Sequence, residues 1–114
     1  MRILLVLGMS AGGVGTHVRG LAVGLADAGH DVVVAGPAEA LATFDLAGTG
    51  ATVHTVRIAE RPDPRRDVAA VAALGRLAGG VDIVHAHGLR AGALACVATL
   101  RALSAGLPGG TRTE

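Results

Sequence analysis

The sequence contains no lysine, tryptophan or tyrosine, and it has a single phenylalanine and a single cysteine. Without tryptophan or tyrosine it lacks the aromatic platforms on which single-stranded nucleic acids stack. The lone cysteine, Cys96, excludes an internal disulfide and favours a reducing compartment. Because Cys96 lies within an apolar helical pattern, we expect its thiol to be packed in the core. All ten basic residues are arginine, so chemistry that requires a lysine is excluded.

Net charge and long apolar runs are also lacking. The formal net charge of +1 gives no electrostatic basis for binding DNA or an anionic membrane surface. No apolar run approaches the roughly 20 residues of a membrane span, and the N-terminal run is too short for a signal peptide. We therefore expect no nucleic-acid partner and no transmembrane segment. The expected location is the cytoplasm, and a peripheral position at the inner face of the membrane is compatible with it.

Apolar residues make up 51% of the 114 positions, and mean hydropathy is +0.55, which predicts one domain with a well-buried core. Strand and helix patterns alternate along the chain. They predict an α/β fold, a Rossmann-like doubly wound parallel sheet of about four strands in the order 3-2-1-4 with helices on both faces. The domain is expected to span residues 1–105, with 106–114 a flexible tail too polar and short for a strand. The predicted strands are 2–7, 32–35, 53–58 and 82–86, and the predicted helices are 14–28, 38–47, 67–78 and 91–103.

The helical patterns also predict which sides face the sheet. Asp67 is expected to cap the third helix, and the loop before it covers 59–66. In the first helix, Gly20 and Gly24 lie one turn apart, which predicts close packing against the sheet. The inward residues predicted for the last two helices are Val68, Val71, Leu74 and Leu77, then Leu94, Val97, Leu100 and Leu103.

Residues 8–17 form the richest motif, a glycine-rich turn between the first strand and the first helix. Glycines let the backbone approach a ligand closely, and the N–H groups and positive dipole end of a helix attract anions. In an open sheet of order 3-2-1-4, ligands bind where strand order reverses, between the first and fourth strands. The loops that meet there are 8–16 and 87–90.

Two kinds of anion site fit this loop poorly. A P-loop ATPase needs a lysine beside the magnesium-binding hydroxyl, but Thr16 occupies that position and the sequence has no lysine. A dinucleotide-binding loop would be Gly13-Val14-Gly15-Thr16-His17-Val18, which lacks the third glycine. Such a site also requires an acidic residue for the ribose at the end of the second strand. That strand ends in Gly36-Pro37 instead, and Glu39 comes only after it.

The segment His85-Ala86-His87 places two imidazoles on one face of an extended strand. This spacing also occurs among metal ligands, but no third ligand cluster accompanies it, so no metal site is predicted. We expect His85 to be a hydrogen-bonded structural residue. Arg65-Arg66 is expected to be a solvated helix start, with an acceptor phosphate as the alternative ligand.

Four segments together resemble family 4 glycosyltransferases. They are Met-Arg-Ile-Leu-Leu-Val (1–6), Gly-Gly-Val-Gly-Thr-His-Val (12–18), Leu-Ala-Asp-Ala-Gly-His-Asp-Val-Val-Val-Ala (25–35) and Asp-Ile-Val-His-Ala-His-Gly (82–88). Members of that family have two Rossmann-like halves, the GT-B architecture, and retain anomeric configuration. The similarity covers about residues 1–105, within the N-terminal, acceptor-binding half, so the chain looks like a truncated member.

The resemblance implies roles for particular residues. Gly12, Gly13 and Gly15 would place backbone N–H groups beside the diphosphate of a nucleotide-sugar donor. His87 matches the histidine that reaches the transferred sugar and would be the catalytic residue. The acceptor, which could be a small molecule, a lipid or a glycan, would be contacted by Thr16, His17, Arg61 and Arg90. No cofactor is implied beyond the donor itself.

The family's second half carries most nucleotide contacts, so the resemblance implies that this half requires a C-terminal partner for activity. The first functional hypothesis is therefore the N-terminal half of a retaining, nucleotide-sugar-dependent glycosyltransferase. The second is a non-catalytic Rossmann-like binding or interaction module, or a dinucleotide-binding fragment.

Overall fold

The computed structural model describes residues 1–8, 13–59, 61–104 and 112–113. These residues form a parallel sheet with helices between successive strands. The strands are β1 (Arg2–Leu7), β2 (Asp31–Gly36), β3 (Thr52–Thr55), β4 (Ile83–His87) and β5 (Arg112–Thr113). The helices are α1 (Gly13–Asp27), α2 (Ala38–Thr43), α3 (Pro64–Ala78) and α4 (Leu89–Ser104), and a short 3-10 helix covers Leu46–Thr49.

The strand order is β3-β2-β1-β4-β5, and all four pairings are parallel. The predicted α/β fold and its 3-2-1-4 order are confirmed. The expectation of no strand in the C-terminal tail is wrong at Arg112 and Thr113, which pair with Ile83 and Val84. Pairing to a sheet edge needs only backbone groups, so polar side chains do not prevent it. The rest of the predicted tail lies outside the described residues.

Alternate residues of β1 supply the two halves of the core. Leu4 and Val6 face α3 and α4, whereas Leu5 and Leu7 face α1 and α2. All four side chains have no exposed surface. A strand buried on both faces explains why this segment is continuously apolar. Because helices cover both faces, the predicted doubly wound arrangement is confirmed.

Helix α3 begins at Pro64, three residues before the predicted cap. Asp63 is the N-cap: its backbone is extended and its carboxylate accepts a hydrogen bond of 3.3 Å from the Arg66 N–H. Proline suits the first helical position because that residue needs no N–H donor there. Asp67 instead accepts the Asp63 N–H from inside the helix, at 3.3 Å. The prediction of Asp67 as the cap is therefore wrong.

The helical faces also differ from the prediction. Val68 is exposed, and in α4 the side chains of Val97, Leu100 and Leu103 are exposed although they were expected inward. The buried stripe of α4 consists mainly of small residues, which let the helix approach its neighbours: Ala91, Leu94, Ala95, Ala98 and Ala102. Cys96 lies beside this stripe and is exposed, so its expected burial is wrong.

Gly20 and Gly24 in α1 do not face the sheet. Both are exposed, and a methyl group on either would meet no atom within 4 Å. The expected close packing through these glycines is wrong. None of the helices in the described part of the chain is both long enough and apolar enough to cross a bilayer.

Candidate functional site

The carboxyl ends of the parallel strands lie at one edge of the sheet, and strand order reverses there between β1 and β4. Leu7, the last residue of β1, pairs directly with His87, the last residue of β4. Gly8 follows β1 and is buried, whereas Gly88 follows β4 with a positive φ of 99°. The two predicted loops therefore leave the sheet side by side, as the topology requires.

The first turn of α1 begins at this edge. Gly13 is exposed, and a side chain there would meet no atom within 4 Å. The first N–H groups of a helix have no acceptor within the helix, and the positive end of its dipole lies with them. Gly12, the first of the three predicted diphosphate-binding glycines, lies outside the described residues. At Gly13 the geometry leaves space for an anionic ligand.

Gly15 has a packing role that the sequence analysis did not predict, and its predicted contact with a diphosphate remains a prediction. It is buried, and a methyl group on its Cα would overlap the ring of Phe44, which follows α2. The absence of a side chain thus lets α1 approach the end of α2. The sequence analysis did not foresee this contact, because Phe44 is distant from Gly15 along the chain.

Three imidazole rings meet where β4 ends beside the first turn of α1. The ring centroids of His85 and His87 are 4.4 Å apart, and the ring of His17 meets that of His87 edge-on at 5.6 Å. His85 and His87 pair with Leu5 and Leu7, so both lie on the α1 side of the sheet. We call these three residues the histidine cluster.

His87 is the member of the histidine cluster with an altered protonation equilibrium. Burial lowers the pKa of His87 from 6.5 to about 4, and repulsion from His85 and then His17 adds to the effect. The ring is therefore neutral at pH 7. Its Nε2 atom is buried and has no hydrogen-bond partner among the described residues. A buried polar atom of this kind is costly unless something pairs with it, which makes Nε2 a candidate for contact with a ligand.

The histidine cluster is not arranged as a metal site. Within residues 1–8, 13–59, 61–104 and 112–113, no three His, Cys, Asp or Glu side chains are placed to hold one ion. A neutral imidazole can instead donate or accept a hydrogen bond at Nε2. The arrangement thus suits binding of a hydroxyl-bearing ligand.

Two of the predicted acceptor residues lie at this edge on α1. Thr16 and His17 are both exposed in its first turn. His17 contacts His87 through its ring. Contact of either residue with an acceptor remains a prediction.

Arg90, in the first turn of α4, is held by two contacts. Its Nε donates a hydrogen bond of 3.2 Å to the Ala59 carbonyl, and its Nη2 pairs with the Asp67 carboxylate on α3. The hydrogen bond to Arg90 holds the pKa of Asp67 below its usual value, and Asp67 in turn raises the pKa of Arg90. Arg90 therefore links α4 to α3 and to the loop before it. Its predicted contact with an acceptor remains a prediction.

Arg61 lies apart from the histidine cluster, in a cleft beyond the ends of β2 and β3. The cleft has a volume of about 650 Å³ and is also lined by Glu39, Arg57, Asp63 and Arg66. We call it the arginine cleft. Sequence analysis singled out Arg61 but gave Arg57 no role, and it considered Glu39 only as an acidic residue for a ribose. The signal available was the concentration of arginines at 57, 61, 65 and 66 after the third strand.

Comparison with protein families agrees with this arrangement. The profile of the Glycosyl transferase 4-like domain family matches residues 12–108, which is most of the sequence. The chain belongs to that family. The resemblance carried by the glycine loop and the His-Ala-His-Gly segment is thereby confirmed at the level of the family.

Solved structures show the same fold for this glycosyl transferase 4-like domain. A glycosyltransferase from Rickettsia africae ESF-5 superposes with a TM-score of 0.65 at 18% identity, covering 98% of this chain and 28% of its own. The calicheamicin glycosyltransferase CalG4 gives 0.62 at 19%, covering 98% and 32%. MurG of Acinetobacter baumannii gives 0.62 at 19%, covering 99% and 33%. The chain thus spans about a third of these structures, the first two of which are glycosyltransferases by name. Comparison with curated sequences finds no match.

Proposed function

We propose that this domain is the acceptor-binding half of a retaining, nucleotide-sugar-dependent glycosyltransferase that acts together with a C-terminal half. The observation that supports it most is the Nε2 atom of His87, which is buried and has no hydrogen-bond partner among the described residues, at the reversal of strand order beside the first turn of α1. Family membership gives the reaction class. We further propose that the donor is a nucleotide-sugar, that this half binds the acceptor, and that the sugar keeps its anomeric configuration.

In the proposed reaction the bond between the anomeric carbon and the donor diphosphate breaks, the carbon bonds to an acceptor hydroxyl oxygen, and the proton of that hydroxyl passes to the departing diphosphate. The N–H groups at the start of α1, at Gly13 and Gly15, would face the diphosphate as it gains negative charge. The Nε2 of His87 would hydrogen-bond a hydroxyl of the transferred sugar and so hold its anomeric carbon in place. A neutral ring suits this task because a sugar hydroxyl is uncharged.

The test is amide and imidazole NMR of this chain with UDP-glucose, GDP-mannose and NADH as separate ligands. If the domain is a glycosyltransferase half, adding a nucleotide-sugar should cause weak, saturable shifts at both Gly13 and His87. The substitution His87→Ala should abolish the response at Gly13 or weaken it severalfold. His54→Ala, which removes an exposed histidine on β3, is the matched control and should leave it unchanged.

The alternatives predict other outcomes in the same experiment. A dinucleotide-binding fragment would respond to NADH and to neither nucleotide-sugar. A non-catalytic interaction module would respond to none of the three. Activity itself is tested by adding a C-terminal half from a family member and measuring transfer from the donor that binds. Loss of transfer in His87→Ala but not in His54→Ala would support the proposed role.

A further inference from the structure

The arginine cleft lies at the same edge of the sheet as the proposed donor site but is formed by different elements. Its walls are the start of α2, the segment that follows β3 and the start of α3. A volume of about 650 Å³ is large enough for a small metabolite. The histidine cluster does not line it, so the cleft provides a second binding surface.

The charges in the cleft are only partly paired with one another. Asp63 lies 3.6 Å from Arg66 Nε and also caps α3, so these two charges offset each other. Arg57 and Arg61 are exposed, and in the described part of the chain neither has an ion-pair partner. Two arginine side chains are thus available to an anionic ligand.

Among the described residues that line the cleft, one carboxylate remains besides Asp63. Glu39 is exposed in the first turn of α2 and forms no ion pair with a described residue. A carboxylate repels an anion but accepts hydrogen bonds from hydroxyl groups. The cleft therefore matches a ligand that carries both an anionic group and hydroxyls.

The cleft is also joined to the strand-reversal edge by direct packing. A methyl group placed on Gly8 would lie 3.8 Å from Ile58, which lines the cleft, and 3.8 Å from Ala91 of α4. Arg90 holds the carbonyl of Ala59, the next lining residue, from the first turn of α4. Ile58 of the cleft lining therefore lies beside Gly8, which follows β1, and Ala59 is held by α4.

We propose that the arginine cleft binds the acceptor, and that this acceptor is a phosphate ester bearing free hydroxyl groups. Arg57 and Arg61 bind the phosphate, since guanidinium groups match phosphate oxygens in geometry and charge. Glu39 accepts hydrogen bonds from the hydroxyls. That the bound ester serves as the acceptor rests on the proposed function. The binding of a hydroxylated phosphate ester does not depend on it.

The first experiment measures binding of glycerol 3-phosphate, inorganic phosphate and glycerol to this chain by NMR shifts of the amides of Thr55, Arg57 and Arg61. We expect glycerol 3-phosphate to bind and glycerol not to bind. The double substitution Arg57→Gln/Arg61→Gln should weaken glycerol 3-phosphate at least tenfold, because it removes two charge-assisted contacts. Arg76→Gln/Arg101→Gln removes the same charge from the last turns of α3 and α4 and should change affinity less than twofold.

Glu39→Gln separates recognition of hydroxyls from recognition of charge. We expect it to weaken glycerol 3-phosphate relative to inorganic phosphate by severalfold. An equal gain in affinity for both ligands would show that Glu39 merely repels anions and would overturn its role. An equal loss in the two double-arginine variants would show non-specific attraction and would overturn the site.

A second experiment distinguishes two sources of such an ester, a lipid headgroup and a soluble molecule. Sedimentation with phosphatidylcholine vesicles, with or without phosphatidylglycerol, tests a lipid headgroup, and glycerol 3-phosphate tests a soluble ester. Binding in either arm that depends on Arg57 and Arg61 supports the inference, and binding in neither overturns it. Shifts at Gly13 and His87 with a nucleotide-sugar are measured separately. If the nucleotide-sugar shifts Gly13 and His87 but no phosphate ester binds, only this inference fails. If a phosphate ester binds but no nucleotide-sugar does, the proposed function fails instead.

Discussion

Gly15 and Gly20 lie in the same helix, but the space around their Cα atoms is different. A methyl group on Gly15 would overlap the ring of Phe44, whereas one on Gly20 would meet no atom within 4 Å. A glycine inside a helix costs stability relative to alanine unless a neighbour needs the space. Gly15 is therefore retained by a tertiary contact as well as by any ligand, and Gly20 has no such contact among the described residues.

This difference predicts opposite effects of one substitution at the two positions. Gly15→Ala should lower the free energy of unfolding by about 1–3 kcal/mol, because the ring of Phe44 must move. Gly20→Ala should raise it by up to about 1 kcal/mol through helix propensity. Urea unfolding followed by circular dichroism measures both. Equal stabilisation by the two substitutions would show that Phe44 does not constrain Gly15.

The lowered pKa of His87 makes stability depend on acid. The unfolded chain binds a proton at His87 near pH 6.5, but the folded chain binds it only near pH 4. Stability from the neutral ring is therefore fully present above about pH 6.5 and is lost as pH falls towards 4. Thermal unfolding at pH 7 and pH 4.5 should show a larger loss in the wild type than in His87→Asn.

The matched control for that measurement is His54→Asn, which removes an exposed imidazole outside the histidine cluster. It should keep the acid sensitivity of the wild type. A titration of the His87 ring protons by NMR gives the pKa directly. An NMR midpoint near 6.5 would contradict the burial seen for Nε2.

At the scale of the elements, the contacts of Arg90 join three segments that are distant in sequence. Its guanidinium bridges α4 to Asp67 on α3 and to the Ala59 carbonyl. Arg90→Gln should raise the pKa of Asp67 towards its ordinary value, because the hydrogen bond from Arg90 is the main cause of the lowering. Carboxyl carbon NMR of Asp67 measures the change. Arg101→Gln on the same helix is the control, and an unaltered Asp67 titration in Arg90→Gln would contradict the link.

Most of the elements and their order followed from local patterns. The apolar run at 3–7, bounded by Gly8, predicted the central strand, and the strand–helix alternation predicted the 3-2-1-4 order. Asp63-Pro64 was interpreted as part of a loop, although aspartate followed by proline is also a helix start. In α4 two apolar stripes competed, and only packing against α3 and the sheet selects the alanine-rich one.

Only those parts of the candidate site that follow from strand order could be predicted from the sequence. That His87 lies opposite the end of β1 follows from strand order, because the carboxyl ends of β1 and β4 must meet. The approach of His17, the bond from Arg90 to Asp67 and the shape of the arginine cleft depend on contacts between distant segments. No periodicity in the sequence records such contacts.

At the scale of the whole molecule, the sheet separates two hydrophobic clusters that share β1. One lies between the sheet and α3 and α4, and the other lies under α1 and α2. The cluster under α1 supports the histidine cluster, and the cluster under α3 supports the arginine cleft. A change in either half of the core therefore bears on both candidate sites through β1.

This arrangement predicts that both faces of the sheet unfold together. Leu4→Ala and Leu5→Ala alter opposite faces of β1, and each should cost about 2–5 kcal/mol because both side chains are fully buried. That is a large part of the roughly 5–15 kcal/mol typical of a domain, so neither face should remain folded without the other. Since the chain has no tryptophan or tyrosine, methyl NMR of Val18 in α1 and Leu94 in α4 reports each face during urea unfolding.

Coincident transitions of Val18 and Leu94 are expected in the wild type and in both variants. The control is Leu100→Ala, since Leu100 is 65% exposed and its loss should change stability by less than about 0.5 kcal/mol. If Leu5→Ala melted the α1 face while Leu94 kept its native shift, the two clusters would be independent folding units. The histidine cluster could then lose its structure without the arginine cleft, and donor and acceptor binding would not be coupled through β1.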